Sequence, residues 1–158
     1  MSFFKKETGI SWDTRHKEMV AYLTTDKLVF ETNAEAVAFA AIIGLKVGKN
    51  IPIIESSARN PISTFTFEKA RLAPLLWSLY FLGTKDASYD LTKLDSSHDR
   101  EVVKKIEGYI NAGLYELEAR FNPDEKLAPH EFVYKTVRNV MNVNKKMIRE
   151  LEKQQKDS

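Results

Sequence analysis

The stretch from Phe30 to Lys49, FETNAEAVAFAAIIGLKVGK, decides how the rest of the chain is organised. Thr32 is a favourable helix N-cap, and Glu35 follows three residues later, which is the spacing of a capping box. The helix that follows is apolar on nearly every side, so we predict that it lies inside the domain. Gly44 is either a close packing point or the helix end, and Gly48 suits a left-handed C-terminal position.

The size and composition of the chain limit the class of protein. A chain of 158 residues suits one domain with its own core. The 24 basic and 22 acidic residues nearly balance, so the total charge does not point to nucleic acid. The absence of cysteine excludes disulfides and zinc–thiolate sites. No signal peptide and no apolar run of about 20 residues is recognisable, so we predict a cytoplasmic protein without a membrane partner.

Four further helical segments are predicted around the central helix. The third of them has the clearest amphipathic pattern, with apolar residues recurring at three and four. Proline restarts the second segment at Pro74 and favours the start of the last at Pro129. The segments run from Thr14 to about Thr25, from Glu68 to Leu82, from His98 to about Phe121, and from Pro129 to about Gln154.

Two glycines inside the third segment suggest how the helices pack. Gly108 and Gly113 should each cost about 1 kcal/mol of helix stability against alanine, which suggests a packing reason. We predict that this helix crosses closely over Ala40, Ala41 and Gly44 of the central helix.

The remaining segments are predicted to be extended or irregular. Met1–Ser11 is interpreted as a loose arm, and Asn50–Ser63 as a long loop whose isoleucines form a short strand or plug the core. Phe65 and Phe67 are predicted to be extended. A short strand at Lys27–Phe30 before a capped helix is typical of dimeric ribbon–helix–helix regulators, which pair strands in the DNA major groove.

Catalytic and metal chemistry find little support in the sequence. His16, His98 and His130 each stand at or near a predicted helix start, and none has a second histidine at i+3 or i+4. We interpret them as solvated residues of helix starts. Ser56 and Ser57 lack the context of a nucleophile elbow. We therefore predict no enzyme, no cofactor and no metal.

The candidate contact residues are basic. They cluster around the first loop and along the last helix, where several share one broad face that Glu150 and Glu152 interrupt. Such a face is either simply solvated or contacts phosphate, and phosphate contact makes affinity fall steeply with salt. The candidate residues for contact with nucleic acid or a partner are Lys46, Lys49, Arg59, Lys135, Arg138, Lys145, Lys146, Arg149 and Lys153.

Two blocks of sequence, VFETNAEAVAFAAIIGLKVGKNIPI and IEGYINAGLYELEARF, resemble the small accessory protein family associated with Dnd systems, the bacterial gene clusters of DNA phosphorothioation. The resemblance implies a partner in DNA modification or antiviral defence rather than a known reaction. It carries over no catalytic residue. The matching positions are Phe30, Thr32, Phe39, Ala40, Ala41, Gly44, Lys46, Gly48, Tyr109, Asn111, Gly113 and Leu114.

The sequence thus predicts a mainly α, single-domain bundle of about five helices, with room for one short strand pair and a long C-terminal helix. The expected division is an arm over residues 1–12, a helical core over 13–128 and the last helix over 129–158, with its distal half projecting. The first functional hypothesis is a non-enzymatic accessory factor that contacts DNA or a DNA-bound complex of the defence system. The alternatives are an adaptor that docks a protein subunit through the last helix, and a small DNA-binding homodimer.

Overall fold

Helix α2 (Asn33–Lys46) runs through the core of the computed structural model, as its apolar sequence predicts. The predicted capping box is present: Glu35 N donates to Thr32 Oγ1 at 3.2 Å, and Thr32 N donates to the Glu35 carboxylate at 3.0 Å. Gly48 takes the left-handed conformation beyond the helix end, with φ of 71°. The structure describes residues 3–4, 8–25, 29–54, 58–84 and 98–156, without the side chains at 98, 143, 144, 147, 148, 151 and 155.

The protein is mainly α, with one small strand pair, as predicted. Two short 3-10 turns, Thr14–His16 and Pro123–Glu125, precede α1 and α6. In the described residues no helix has both the length and the apolar character that crossing a bilayer requires. The helices besides α2 are α1 (Lys17–Thr24), α3 (Thr64–Lys69), α4 (Ala73–Thr84), α5 (His98–Arg120) and α6 (Pro129–Lys156).

The strand pair forms where the sequence predicted an arm and a loop. Strand β1 (Gly9–Asp13) pairs antiparallel with β2 (Arg59–Ser63), in the register Gly9 to Ser63. The loose-arm prediction is therefore wrong for residues 9–11, and the loop prediction is wrong for residues 59–63. Both errors have the same origin. The RNPIS sequence of β2 has low strand propensity, and β1, the strand with which it pairs, is far away in the chain.

Two further local predictions are wrong. Phe65 and Phe67 belong to helix α3, since Ser63 Oγ accepts a hydrogen bond from Phe65 N and caps it. Val29 and Phe30 do not form a strand, and Phe30 instead donates from its backbone N to Leu23 O. The rest of that predicted strand, and Ser56 and Ser57, lie outside the described residues. The part of the chain described here therefore gives no support to a ribbon–helix–helix arrangement.

Helices α2 and α5 cross with their backbones in contact, which confirms the predicted packing. A Cβ atom on Gly44 would lie 2.1 Å from Tyr109 O, and one on Gly113 would lie 1.7 Å from Ala40 O. Gly108 has a different neighbour, because a Cβ atom there would meet the Asn50 side chain at 2.1 Å. Small residues at the crossing therefore set how closely the two central helices approach.

Helix α6 packs on the body through its first three turns. Phe132, Thr136 and Val140 are buried, and the Phe132 ring meets those of Tyr22 and Phe121 at centroid distances of 5.7 and 5.6 Å. From Met141 onward every described side chain of the helix is exposed. A helix of 28 residues is about 42 Å long, so much of α6 lies beyond its buried turns. The division into arm, core and last helix stays a prediction.

Candidate nucleic-acid interface

A row of polar side chains, which we call the basic row, runs along the exposed side of α6. The row consists of Lys135, Asn142, Lys146, Arg149 and Lys153, all of them exposed. Their spacings of seven, four, three and four residues keep them on one face of the helix. The face is therefore cationic from the start of α6 to its last turns.

Glu150 and Glu152 border the basic row instead of interrupting it, whereas Glu131 lies on the same face one turn before Lys135. Glu150 follows Arg149 by one residue and Glu152 precedes Lys153 by one, and each step turns the side chain by about 100° in opposite directions. Arg138 and Lys145 lie along one edge of the row and are exposed. From Lys135 onward the described side chains thus form one broad cationic face, with Glu150 and Glu152 at its margins.

Most cations of this face are not engaged by the protein itself. Lys135 donates to Glu125 at 2.6 Å, which neutralises the first position of the row. Among the side chains that the structure describes, no carboxylate pairs with the other basic candidates of α6. These unpaired cations are Arg138, Lys145, Lys146, Arg149 and Lys153. They can meet an external anion without breaking an internal contact.

The three remaining candidates lie elsewhere. Lys46 is exposed in the last turn of α2, and Lys49 follows it, 60% exposed and 3.8 Å from Glu116. Arg59 in β2 is engaged: its Nη1 donates to Glu107 at 3.2 Å. The structure therefore places six of the nine predicted residues on α6, one on α2, one in the segment that follows α2 and one on β2.

A second polar feature, a seam along α5, was missed from the sequence. Glu107, Asn111 and Glu118 lie on the side of α5 that meets β1 and the 3-10 turn behind it. Spacings of four and seven residues put the three side chains on one face, which is the signal that could have identified the seam.

His16 stands at the centre of this seam, and the prediction that it is a solvated helix-start residue is wrong. Its ring is fully buried, with Nδ1 2.7 Å from Glu118 Oε1 and Nε2 3.1 Å from Asn111 Oδ1. Asn111 is oriented by its amide nitrogen, which donates to Ile51 O at 3.1 Å. Both ring nitrogens thus lie within hydrogen-bonding distance of side-chain oxygens on α5.

The hydrogen bonds of His16 argue against a catalytic role. A general base needs a free nitrogen within reach of the proton that it removes. Both ring nitrogens of His16 already contact side-chain oxygens, those of Glu118 and Asn111. The imidazole and the Tyr115 ring also pack in a T-shaped arrangement, with 4.6 Å between their centroids. In the described part of the chain no three potential metal ligands come together. The seam is a structural network that ties β1 to α5.

Glu107 extends the seam to the strand pair. Its Oε1 accepts a hydrogen bond from Ser11 N at 2.7 Å, and its Oε2 accepts from Arg59 at 3.2 Å. One buried carboxylate therefore binds both strands to α5. The sequence-based assignment of Arg59 to an external contact fits poorly with this engagement.

A groove of about 400 Å³ opens beside the seam, between α1 and the end of α5. Glu18, Met19, Tyr22, Glu118 and Phe121 line it. Burial, reinforced by the negative charge of Glu131, raises the pKa of the Tyr22 hydroxyl. That hydroxyl donates to Leu127 O at 2.7 Å, so it serves the fold and is not available to a ligand.

These features define a small, mainly helical protein with a cationic helix face and, among its described residues, no cluster of metal-ligating side chains. The chain belongs to the family of DNA sulphur modification system-associated protein 4, whose family model it matches over residues 10–156. Of the elements described, the match includes β2, the six α-helices and all of β1 except Gly9, and it confirms the resemblance to Dnd-associated proteins. Neither the curated proteins nor the solved structures give a match.

Proposed function

We propose that this chain is a non-enzymatic accessory factor of a DNA sulphur modification system and that it contacts DNA phosphates through α6. The family links the chain to a system that acts on DNA. The observation that carries the proposal is the cationic face of α6, whose exposed cations are mostly without a carboxylate partner among the described side chains. Lysine and arginine on such a face supply the sequence-independent part of DNA binding.

The dimensions of the helix suit a duplex. From Lys135 to Lys153 the basic row extends for about 27 Å at 1.5 Å per residue, slightly less than one turn of B-DNA. An α-helix fits the major groove, which is about 12 Å wide. The row is mostly lysine, whose ammonium groups pair with phosphates, and phosphate contacts carry no sequence information. We therefore expect binding with little sequence preference.

The proposal is tested by fluorescence anisotropy with a labelled duplex between about 50 and 200 mM salt. If the five unpaired cations each meet one phosphate, log K should fall against log salt with a slope of about −4 to −5. The triple variant Lys146→Gln, Arg149→Gln and Lys153→Gln should reduce the steepness of that slope by about 3. Glutamine preserves helix propensity, so the helix itself should remain.

A matched triple variant controls for total charge. Lys17→Gln, Lys69→Gln and Lys104→Gln removes the same charge from exposed positions on α1, α3 and α5. This control should keep the salt slope of the unmodified protein. Equal losses in the two triple variants, or no binding of the unmodified protein at the lowest salt, would contradict phosphate contact by α6.

The adaptor alternative uses the same helix differently. Tyr134 and Met141 are exposed and stand one heptad apart on α6, so a protein could cover this side of the helix. We favour phosphate contact because the cations on the neighbouring side outnumber these two apolar residues. If the duplex does not bind at low salt, the adaptor becomes the better-supported of the two functions.

A further inference from the structure

The loop that follows α2, Asn50–Ile54, exposes three apolar residues in close succession; we call it the apolar loop. Ile51 is 36% exposed, Ile54 is 60% exposed, and Pro52 between them is exposed as well. Ile53 alone turns inward and is buried. Single exposed apolar side chains are common, but a contiguous group is typical of an interaction site.

The apolar loop is held in one conformation by α5. Ile51 N donates to Gly108 O at 3.0 Å, and the Asn50 side chain donates to Lys105 O at 2.8 Å. Asn111 donates to Ile51 O at 3.1 Å, and its own orientation is set by the buried seam. The missing Cβ of Gly108 leaves the space that Asn50 occupies.

A second anchor fixes the far end of the apolar loop. Arg59 donates to Ile53 O at 3.3 Å while Glu107 binds the same guanidinium. A loop ordered in advance pays less conformational entropy when a partner binds it. The backbone that carries the side chains of Ile51, Pro52 and Ile54 is thus held in one conformation. Because these side chains are exposed, they contribute little to the stability of the fold.

The surroundings of the apolar loop are cationic. Lys46 and Lys49 precede it, and both side chains are exposed. Lys49 pairs with Glu116, which is also bound by Arg120, so that carboxylate is already engaged within the protein. The patch therefore combines an apolar centre with a positive margin.

We propose that the apolar loop docks into a protein partner, a subunit of the same DNA modification system, through an apolar pocket rimmed by carboxylates. Isoleucine and proline have nothing to offer a phosphate backbone, which argues for protein over nucleic acid. An apolar anchor inside a polar rim is the arrangement of protein–protein interfaces. The family membership indicates where the partner is to be sought, and the proposal does not depend on DNA contact by α6.

The test uses the full chain and the protein subunits of the system, each purified and titrated singly by biolayer interferometry at about 150 mM salt. One subunit should bind, and the double variant Ile51→Ser and Ile54→Ser should weaken that binding by roughly tenfold or more. The fold should persist because both side chains are exposed, which circular dichroism and thermal unfolding can verify. Leu82→Ser, at a position 70% exposed on α4, is the matched control and should bind normally.

The charged margin provides a second measurement. Lys46→Gln with Lys49→Gln should weaken the complex, and more so at low salt. Three results would overturn the proposal: no subunit binds the unmodified chain, the isoleucine variant binds as tightly as the unmodified chain, or Leu82→Ser weakens binding as much as the isoleucine variant does. Loss with the lysine variant alone would also overturn it, because the surface would then be purely electrostatic. The isoleucine variant should keep the duplex affinity of α6, so this proposal and the DNA proposal can fail separately.

Discussion

At His16 a single side chain joins three segments of the chain. The ring stands directly behind β1, its two nitrogens reach Glu118 and Asn111 on α5, and Asn111 in turn holds the apolar loop at Ile51. A buried polar group is costly unless its hydrogen bonds are satisfied, and here each member satisfies the next. One imidazole therefore supports both the end of β1 and, through Asn111, the apolar loop, in addition to the contacts made by Glu107 and Asn50.

We expect His16→Ala to lower the free energy of unfolding by about 2–4 kcal/mol. The substitution leaves Asn111 Oδ1 without its imidazole partner and opens a cavity in a fully buried site. Urea unfolding followed by circular dichroism measures the effect. His130→Ala, at an exposed position in the first turn of α6, should change stability by less than about 0.5 kcal/mol. Equal effects of the two substitutions would contradict a central role for the seam.

Two buried tyrosines should make the protein sensitive to alkali. Burial raises the pKa of Tyr109, and burial together with Glu131 raises that of Tyr22. Above the ordinary tyrosine value of about 10, the unfolded chain releases these protons before the folded one does, so stability falls as pH rises further. Urea unfolding between about pH 8 and 11 should show this decline.

The tyrosine effect has a direct control. Tyr109→Phe should flatten the decline of stability with alkaline pH because one of the two late ionisations is removed. Tyr134→Phe changes an exposed residue and should leave the decline as it is. A decline that is insensitive to Tyr109→Phe would show that other groups govern it.

At the scale of elements, the contact of α2 with α5 depends on missing side chains. Gly44 and Gly113 bring backbone against backbone, whereas Gly83 of α4 faces only the end of the Tyr109 side chain. A backbone contact cannot yield without moving a whole helix, but a side-chain end can shift. The same substitution should therefore have different costs at these glycines.

We expect Gly113→Ala to lower the free energy of unfolding by about 2 kcal/mol, although alanine favours helix by about 1 kcal/mol. Its Cβ would lie 1.7 Å from Ala40 O, so the two helices would have to separate. Gly83→Ala should cost less, because the Tyr109 ring can move away. Thermal unfolding of the two variants checks the order. A stabilised Gly113→Ala protein would show that the helices do not cross this closely.

Helix α6 combines a docked half with an exposed half. Val140 is the last buried one among its described side chains, and for the turns beyond we expect a larger part of the stability to come from intrinsic propensity and from side-chain pairs along the helix. The residues there are mostly lysine, glutamate, glutamine and arginine, which are good helix formers. An element of this kind can extend a cationic surface away from the body of a small domain.

At the scale of the whole molecule, the two proposed surfaces belong to different elements. The basic row lies on α6, and the apolar loop lies between α2 and β2, fastened to α5. A near-neutral chain with seven of its 24 basic residues on one helix can bind a polyanion there while the rest of the surface meets a protein. An accessory factor that links DNA to a subunit needs this separation.

The sequence by itself determined the central helix, the close crossing and the long last helix. Each of these features follows from a local pattern that is visible in the sequence. The patterns are the capping box at Thr32 and Glu35, the glycines at 44 and 113, and the apolar period of α5. It also placed six contact candidates on α6, because residues three and four apart must share a helix face. Whether those six bind DNA stays a prediction.

Only the tertiary structure decided the strand pair, the buried His16 and the shape of the apolar loop. His16 meets its partners 95 and 102 residues away, and β1 finds β2 across the whole of α1 and α2. No local preference encodes such pairings, because each depends on how the α2–α5 crossing places distant segments side by side. Long-range hydrogen bonds of this kind allow His16, which its local sequence suggests is solvated, to lie in the core.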